Sequence, residues 1–96
     1  MRSDRVRRAL VSKGMIPTDS HHHMFRRTVD GVTQLVTRLS HGEKEVTERT
    51  ARLMAKQCVL HFDEFTRLVE CPLSPEEWDN CVRERCVDGR NPFIGR

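Results

Sequence analysis

The sequence predicts an α+β domain in which helices pack on a small antiparallel sheet of three strands, or of two. Three observations carry this prediction: an amphipathic helix at the start, alternating strand-like stretches joined by Asp30-Gly31 in the middle, and a helical period thereafter. A helix stacked on one face of a small antiparallel sheet is an α+β architecture. The 96 residues suffice for one domain.

The first half of the chain predicts one helix followed by the sheet. Asp4 or Ser3 is expected to cap this helix at its start. Its end is expected at Gly14, because glycine readily takes the backbone conformation that ends helices. Residues 15–17 are expected to form a short extended piece or a turn. Strands are expected over residues 21–29 and 33–39, since their side chains alternate and the Asp-Gly pair between them is typical of a tight hairpin.

The second half predicts three helices. One begins near Thr47 and buries a stripe at helical spacing, and another covers residues 62–69. The last begins at Ser74, whose side chain can cap the helix, with Pro75 at its first position and Glu77 closing a capping box.

These elements divide the chain into a core domain at residues 1–70, an appended helix at 71–86 and an irregular tail at 87–96. Trp78 is expected to pin the appended helix to the core. The alternative is an exposed anchor for a partner protein or a second copy of the chain.

The charge is unevenly distributed along the chain. Residues 1–40 hold eight basic residues against three acidic ones, a net +5, whereas residues 41–96 hold nine against eleven, a net −2. A basic first half suggests an anionic partner such as nucleic acid, and the alternative is a solvated surface with a chance asymmetry. No apolar run reaches the roughly 18 residues of a membrane span or the core of a signal peptide, so a cytoplasmic protein without membrane contact is expected.

A metal site has little support in the sequence. None of the four cysteines forms a CxxC pair, so free thiols are expected rather than zinc ligands. His21 and His23 are two residues apart on one strand and could both reach one ion, but a third ligand, His41 or Cys58, would depend on the fold. We therefore expect no metal and no cofactor.

Four stretches, taken in order, carry a resemblance to a known family. They are LVSKGM (10–15), SHHHMFRR (20–27), LSHGEKEV (39–46) and TARLMAKQCVLHFDEF (50–65). Together they resemble the HicA toxin family, small bacterial mRNA interferases with a double-stranded-RNA-binding-domain-like α-β-β-β-α fold. The likeness covers roughly residues 5–70. Asp19 stands where the family usually has glycine, and Met15 replaces its aromatic residue.

The resemblance implies the toxin of a type II toxin-antitoxin system, a metal-independent endoribonuclease that cleaves mRNA and is bound by a HicB-like antitoxin. The catalytic residue that it implies is His21, directly after Ser20, with His23 and Ser20 able to assist. Histidine suits acid–base chemistry because its side chain titrates near neutral pH. The basic residues expected to contact RNA phosphates are Arg7, Arg8, Lys13, Arg26, Arg27, Arg38 and Lys44.

An alternative function of a different class stays open. A domain of this fold can hold a nucleic-acid backbone without cutting it. Asp19 in place of glycine, together with the added last helix, favours such a non-catalytic RNA-binding or protein-interaction module more than a typical toxin sequence would. The histidines would then be solvated residues of a polar strand.

Overall fold

The computed structural model describes residues 1–19, 23–39, 42, 44–70 and 72–94, with the backbone alone at Asp19 and His23. Its elements run in the order helix, three strands, three helices. They are α1 (Ser3–Ser12), β1 (Ile16–Asp19), β2 (His23–Val29), β3 (Thr33–Leu39), α2 (Glu48–Gln57), α3 (Phe62–Val69) and α4 (Pro75–Arg85). The predicted α+β class is confirmed, with three strands in the sheet. The extended alternative for residues 15–17 is the correct one, because β1 covers most of that stretch.

The sheet is an antiparallel meander of order β1-β2-β3. β2 and β3 meet in the predicted turn, where Asp30 and Gly31 both have positive φ and the Val32 N–H donates to the Val29 carbonyl over 3.1 Å. This turn conformation suits Asp-Gly and matches the twist of the flanking strands. The register follows from the turn, with Val29 opposite Thr33 and His23 opposite Leu39.

The helices cover one face of the sheet and enclose a single core. Odd-numbered positions of β2 and β3 contribute Phe25, Val29, Leu35 and Leu39, each at most 4% exposed. The helices contribute most of the other buried apolar residues, and the connecting segments contribute the rest. The helical ones are Val6, Leu10, Ala51, Met54, Ala55, Phe65, Leu68, Val69, Trp78 and Val82. The stripe predicted from Ala51, Met54 and Ala55 is therefore core.

Local signals account for where the last three helices begin. The Thr47 hydroxyl accepts from the Thr50 N–H over 3.2 Å at the start of α2. At α4, the Ser74 hydroxyl accepts from the Glu77 N–H and the Glu77 carboxylate accepts from the Ser74 N–H, which is the predicted capping box. At α3, the Glu64 carboxylate accepts from the His61 N–H over 2.8 Å.

The last helix is built into the same core as the rest. Trp78 is fully buried, and its indole N–H donates to the Cys58 carbonyl over 2.9 Å. Arg85 donates to the Val59 carbonyl, also over 2.9 Å. Two carbonyls just past the end of α2, which that helix leaves without donors, are thus satisfied by side chains of α4. Trp78 pins the helix, as expected, and is not an exposed anchor.

The final stretch has no helix or strand up to residue 94, but it is held against the domain. Val87 and Arg90 form an isolated bridge. The Asn91 side-chain amide donates to the Lys56 carbonyl over 2.7 Å, and the Phe93 ring lies 5.2 Å from the His61 ring. None of the helices described above is long and apolar enough to cross a membrane.

Candidate nucleic-acid interface

The face of the sheet away from the helices is open. Alternation along each strand places on it the residues that are half-buried or exposed, and these include two arginines. The residues on this side of the sheet, which we call the open face, are Ile16, Thr18, Met24, Arg26, Thr28, Gln34, Val36 and Arg38. Ile16 is 68% exposed, and Arg26 and Arg38 on the two neighbouring strands are exposed as well, so none of the described helices covers this surface.

Arg26 and Arg38 are diagonal neighbours on the open face. Arg26 is opposite Val36, and Arg38 is opposite Met24, so the two arginines lie on adjacent strands one diagonal step apart. Both side chains are exposed, and neither guanidinium has a hydrogen bond or ion pair within the described part of the chain. Two unpaired guanidinium groups on one face can each bind a phosphate with a pair of parallel hydrogen bonds.

One end of the sheet is formed by residues that are close in sequence to His21, His22 and His41. Asp19, His23 and Leu39 are paired across the three strands and form the terminal row of the sheet. Residues 20–22 connect the first two of these positions, and residues 40–41 follow the third. Arg38 precedes that row by one residue and Arg26 is three residues from it, about 10 Å at 3.3 Å per residue.

The predicted catalytic residues fall mostly outside the described residues. Ser20 and His21 lie there, as do His22 and His41. His23 begins β2, where its backbone pairs with Asp19 and Leu39.

Arg27, one of the predicted RNA contacts, is engaged inside the protein. It follows Phe25 by two residues and therefore extends to the helix side of the sheet. Its guanidinium donates to both carboxylate oxygens of Asp79 and lies 5.2 Å from the centre of the Trp78 ring. Gly14 leaves room for this group, because a Cβ there would collide with it. Arg27 is therefore a structural residue that joins β2 to α4.

Lys13 is also withdrawn from the surface. Its side chain is 6% exposed, and its ammonium donates to the Leu73 carbonyl ahead of α4. A buried ammonium with internal partners cannot also contact an RNA backbone without leaving them.

The remaining predicted contacts form a second basic surface. Arg7 and Arg8 are on the exposed side of α1. Lys44 lies beside the start of that helix, because its carbonyl accepts from the Ser3 N–H over 2.9 Å. Arg8 is weakly paired with Asp4 at 3.5 Å. Because α1 belongs to the helical layer, this surface is separate from the open face.

A pocket at the junction of α2 and α3 had no counterpart among the sequence predictions. It encloses about 430 Å³, and its walls include Arg52, Lys56, Phe62 and Phe93. The sequence offers no local signal for it, since Phe93 belongs to a stretch without regular structure and reaches the pocket only through tertiary contacts.

The structure was searched for grouped metal ligands and the chain was compared with known proteins. Within the part of the chain that the structure describes, no three histidine, cysteine, aspartate or glutamate side chains are grouped so that they could hold a metal ion. Cys58, Cys81 and Cys86 are free thiols, and burial raises the pKa of Cys58 to about 12. No family model, no curated protein and no solved structure matches the chain.

Proposed function

We propose that the protein is a HicA-like endoribonuclease that binds RNA on the open face and cleaves it with a histidine of the adjoining 20–22 segment. The observation that carries this proposal is the position of Arg26 and Arg38 beside the sheet end from which that segment leaves. Neither guanidinium group has a partner among the residues that the structure describes. The helix-strand-strand-strand-helix order of residues 3–57 supports it, because the resemblance implies this order.

The proposed reaction needs a base and an acid but no covalent intermediate with the protein. His21 removes the proton of a ribose 2′-hydroxyl, whose oxygen attacks the adjacent phosphorus. The new bond is O2′–P and the broken bond is P–O5′; the departing O5′ takes up a proton, for which His23 is the candidate donor. Arg26 and Arg38 stabilise the negative charge that develops on the phosphate oxygens.

The proposal includes a protein partner, a HicB-like antitoxin. A partner that covers the open face would deny RNA access to both arginines at once. Expression of the protein without that partner should then arrest growth, and co-expression should relieve the arrest.

The decisive experiment measures cleavage of a single-stranded RNA by the purified protein in EDTA, beside His21→Ala and with a parallel binding assay. Cleavage that disappears in the variant while binding is retained supports the proposal. A wild-type protein that binds RNA and does not cut it would instead be a non-catalytic RNA-binding module on the same fold. A protein that neither binds nor cuts RNA would contradict both RNA functions and leave the protein-interaction module as the alternative.

A further inference from the structure

We propose that the pocket at the α2–α3 junction binds one unpaired nucleotide of the RNA, with its base against the aromatic walls and its phosphate on Lys56. The proposal deepens the proposed function and rests on it, because it assigns a second contact to the same substrate class. The pocket lies in the helical layer, away from the open face, and depends on Phe93 from the final stretch.

The walls of the pocket present several flat rings to solvent. Phe62 and Phe93 are half-buried and His61 is exposed, and the His61 and Phe93 rings are 5.2 Å apart with a 38° angle between their planes. The Arg52 guanidinium lies 4.3 Å from the centre of the Phe62 ring. Unpaired bases stack on such rings and on arginine planes, and stacking tolerates any base because every base has a π-face.

The charged side chains that line the pocket favour an anionic ligand. Its polar walls are Arg52, Lys56 and His61, and no carboxylate lines it within the described residues. Arg52 already binds Glu48 over 2.8 Å, whereas the Lys56 ammonium has no ion-pair partner in the described chain. Lys56 is therefore the cation left for a phosphate group.

The aromatic wall is held in place before any ligand arrives. The Asn91 side chain donates to the Lys56 carbonyl and accepts from the Phe93 N–H, at 2.7 and 2.9 Å. The Arg85 guanidinium lies 5.7 Å from the Phe93 ring centre. A preformed wall lowers the entropic cost of binding. The volume of about 430 Å³ falls within the range of small-ligand pockets.

An acidic peptide with one apolar side chain is the competing occupant. A carboxylate of the peptide would pair with the Lys56 ammonium, but its one apolar side chain would contact only one of the rings. A nucleotide uses both features together, because its base is flat and its phosphate is attached a few ångströms away. The nucleotide therefore fits the pocket better than the peptide, and the binding test compares the two.

The test titrates ¹⁵N-labelled full-length protein with adenosine and uridine 5′-monophosphate and follows the amide signals of Leu60, Phe62 and Phe93 by NMR. Both nucleotides should shift these signals, and inorganic phosphate alone should shift them far less. Phe93→Ala should weaken binding by about 5- to 150-fold, the range for loss of one base–aromatic stack. Lys56→Gln should weaken the binding of both nucleotides and leave the binding of the corresponding nucleosides, which have no phosphate, unchanged.

The controls separate this proposal from the proposed function. Ile94→Ala changes an exposed apolar neighbour of Phe93 that does not line the pocket, so nucleotide binding should be unchanged. Unshifted amides, equal shifts with inorganic phosphate, or tighter binding of an acidic phenylalanine-containing peptide would each overturn the nucleotide site. Such a failure leaves RNA cleavage by His21 untouched, whereas absence of cleavage with nucleotide binding intact would overturn only the proposed activity.

Discussion

Arg27 of β2 and Asp79 of α4 form a forked ion pair that joins the sheet to the last helix across 52 residues of sequence. Nη2 donates to the two carboxylate oxygens over 2.8 and 2.9 Å, and Nε donates to Oδ1 over 3.1 Å. The two side chains are only 16% and 21% exposed, so the pair is largely shielded from solvent. Such a pair binds strongly when intact and is costly to break on one side.

Asp79→Asn should therefore destabilise the protein. One charge of the pair is removed while Arg27 stays in its half-buried place, and we expect the free energy of unfolding to fall by about 1–3 kcal/mol. Urea unfolding followed by circular dichroism measures it. Asp63→Asn is the matched control: Asp63 pairs with Arg67 at 3.5 Å while 78% exposed, so its loss should cost less than about 0.5 kcal/mol. Equal effects in the two variants would contradict the structural role of the pair.

Trp78→Phe should separate the packing of the last helix from its hydrogen bond. The variant keeps an aromatic ring but leaves the Cys58 carbonyl without its indole donor, so unfolding should become easier by about 1–3 kcal/mol. Leu53→Ala, at a 55% exposed position of α2, should stay within about 0.5 kcal/mol of the wild type. If the last helix did not share the core, Trp78→Phe and Leu53→Ala would change the free energy of unfolding by similar small amounts.

The ion pair between Glu64 and Arg85 should make the free energy of unfolding depend on pH in the acid range. The Arg85 guanidinium that donates to it lowers the pKa of the Glu64 carboxyl to about 2, from an ordinary value of 4.5. Because the folded-state pKa is the lower one, the ion pair contributes its full stability above about pH 4.5 and loses it as the pH falls toward 2. Urea midpoints measured from pH 2 to 6 should show a stability gap between wild type and Glu64→Gln that closes at the acid end. A gap that stays constant would contradict the assignment.

Arg26→Gln and Arg38→Gln should each weaken RNA binding by about 3- to 10-fold. Each should also reduce the slope of log affinity against log salt by about 0.7, the contribution of one phosphate contact on a single strand. Arg49→Gln removes the same charge from the exposed surface of α2 and should change neither quantity. Stability should be unchanged in all three variants, because none of these arginines has an internal partner in the described chain. If Arg49→Gln weakened binding equally, the attraction would be unspecific and the open face would not be the interface.

Elements with a strong local signal were predicted from the sequence with little error. Asp30-Gly31 specified the hairpin, and the Thr47 and Ser74 caps specified the starts of α2 and α4. The sequence does not distinguish a strand from a turn at residues 15–17, because the first strand has only four residues, one of them Pro17. The start of α1 at Ser3 has no side-chain cap, so neither Ser3 nor Asp4 acts there as capping residues usually do.

The interface was harder to predict, because adjacent basic residues have different environments. Arg26 and Arg27 look alike in the sequence, yet alternation places one on the open face and the other against Asp79. The position of Arg27 two residues after a buried Phe25 was the signal that distinguishes them. Lys13 gave no such signal, since its burial depends on the Leu73 carbonyl, 60 residues away in sequence.

The indole of Trp78 and the guanidinium of Arg85 supply the carbonyls just past α2 with their donors, and this has a consequence for synthesis on the ribosome. During synthesis, Cys58 and Val59, which carry these carbonyls, leave the ribosome more than 15 residues ahead of Trp78 and more than 20 residues ahead of Arg85. A nascent or prematurely released chain keeps those carbonyls unpaired and its core open. The domain therefore completes its core only after α4 has been synthesised, and a product that stops before α4 exposes apolar surface to chaperones and proteases.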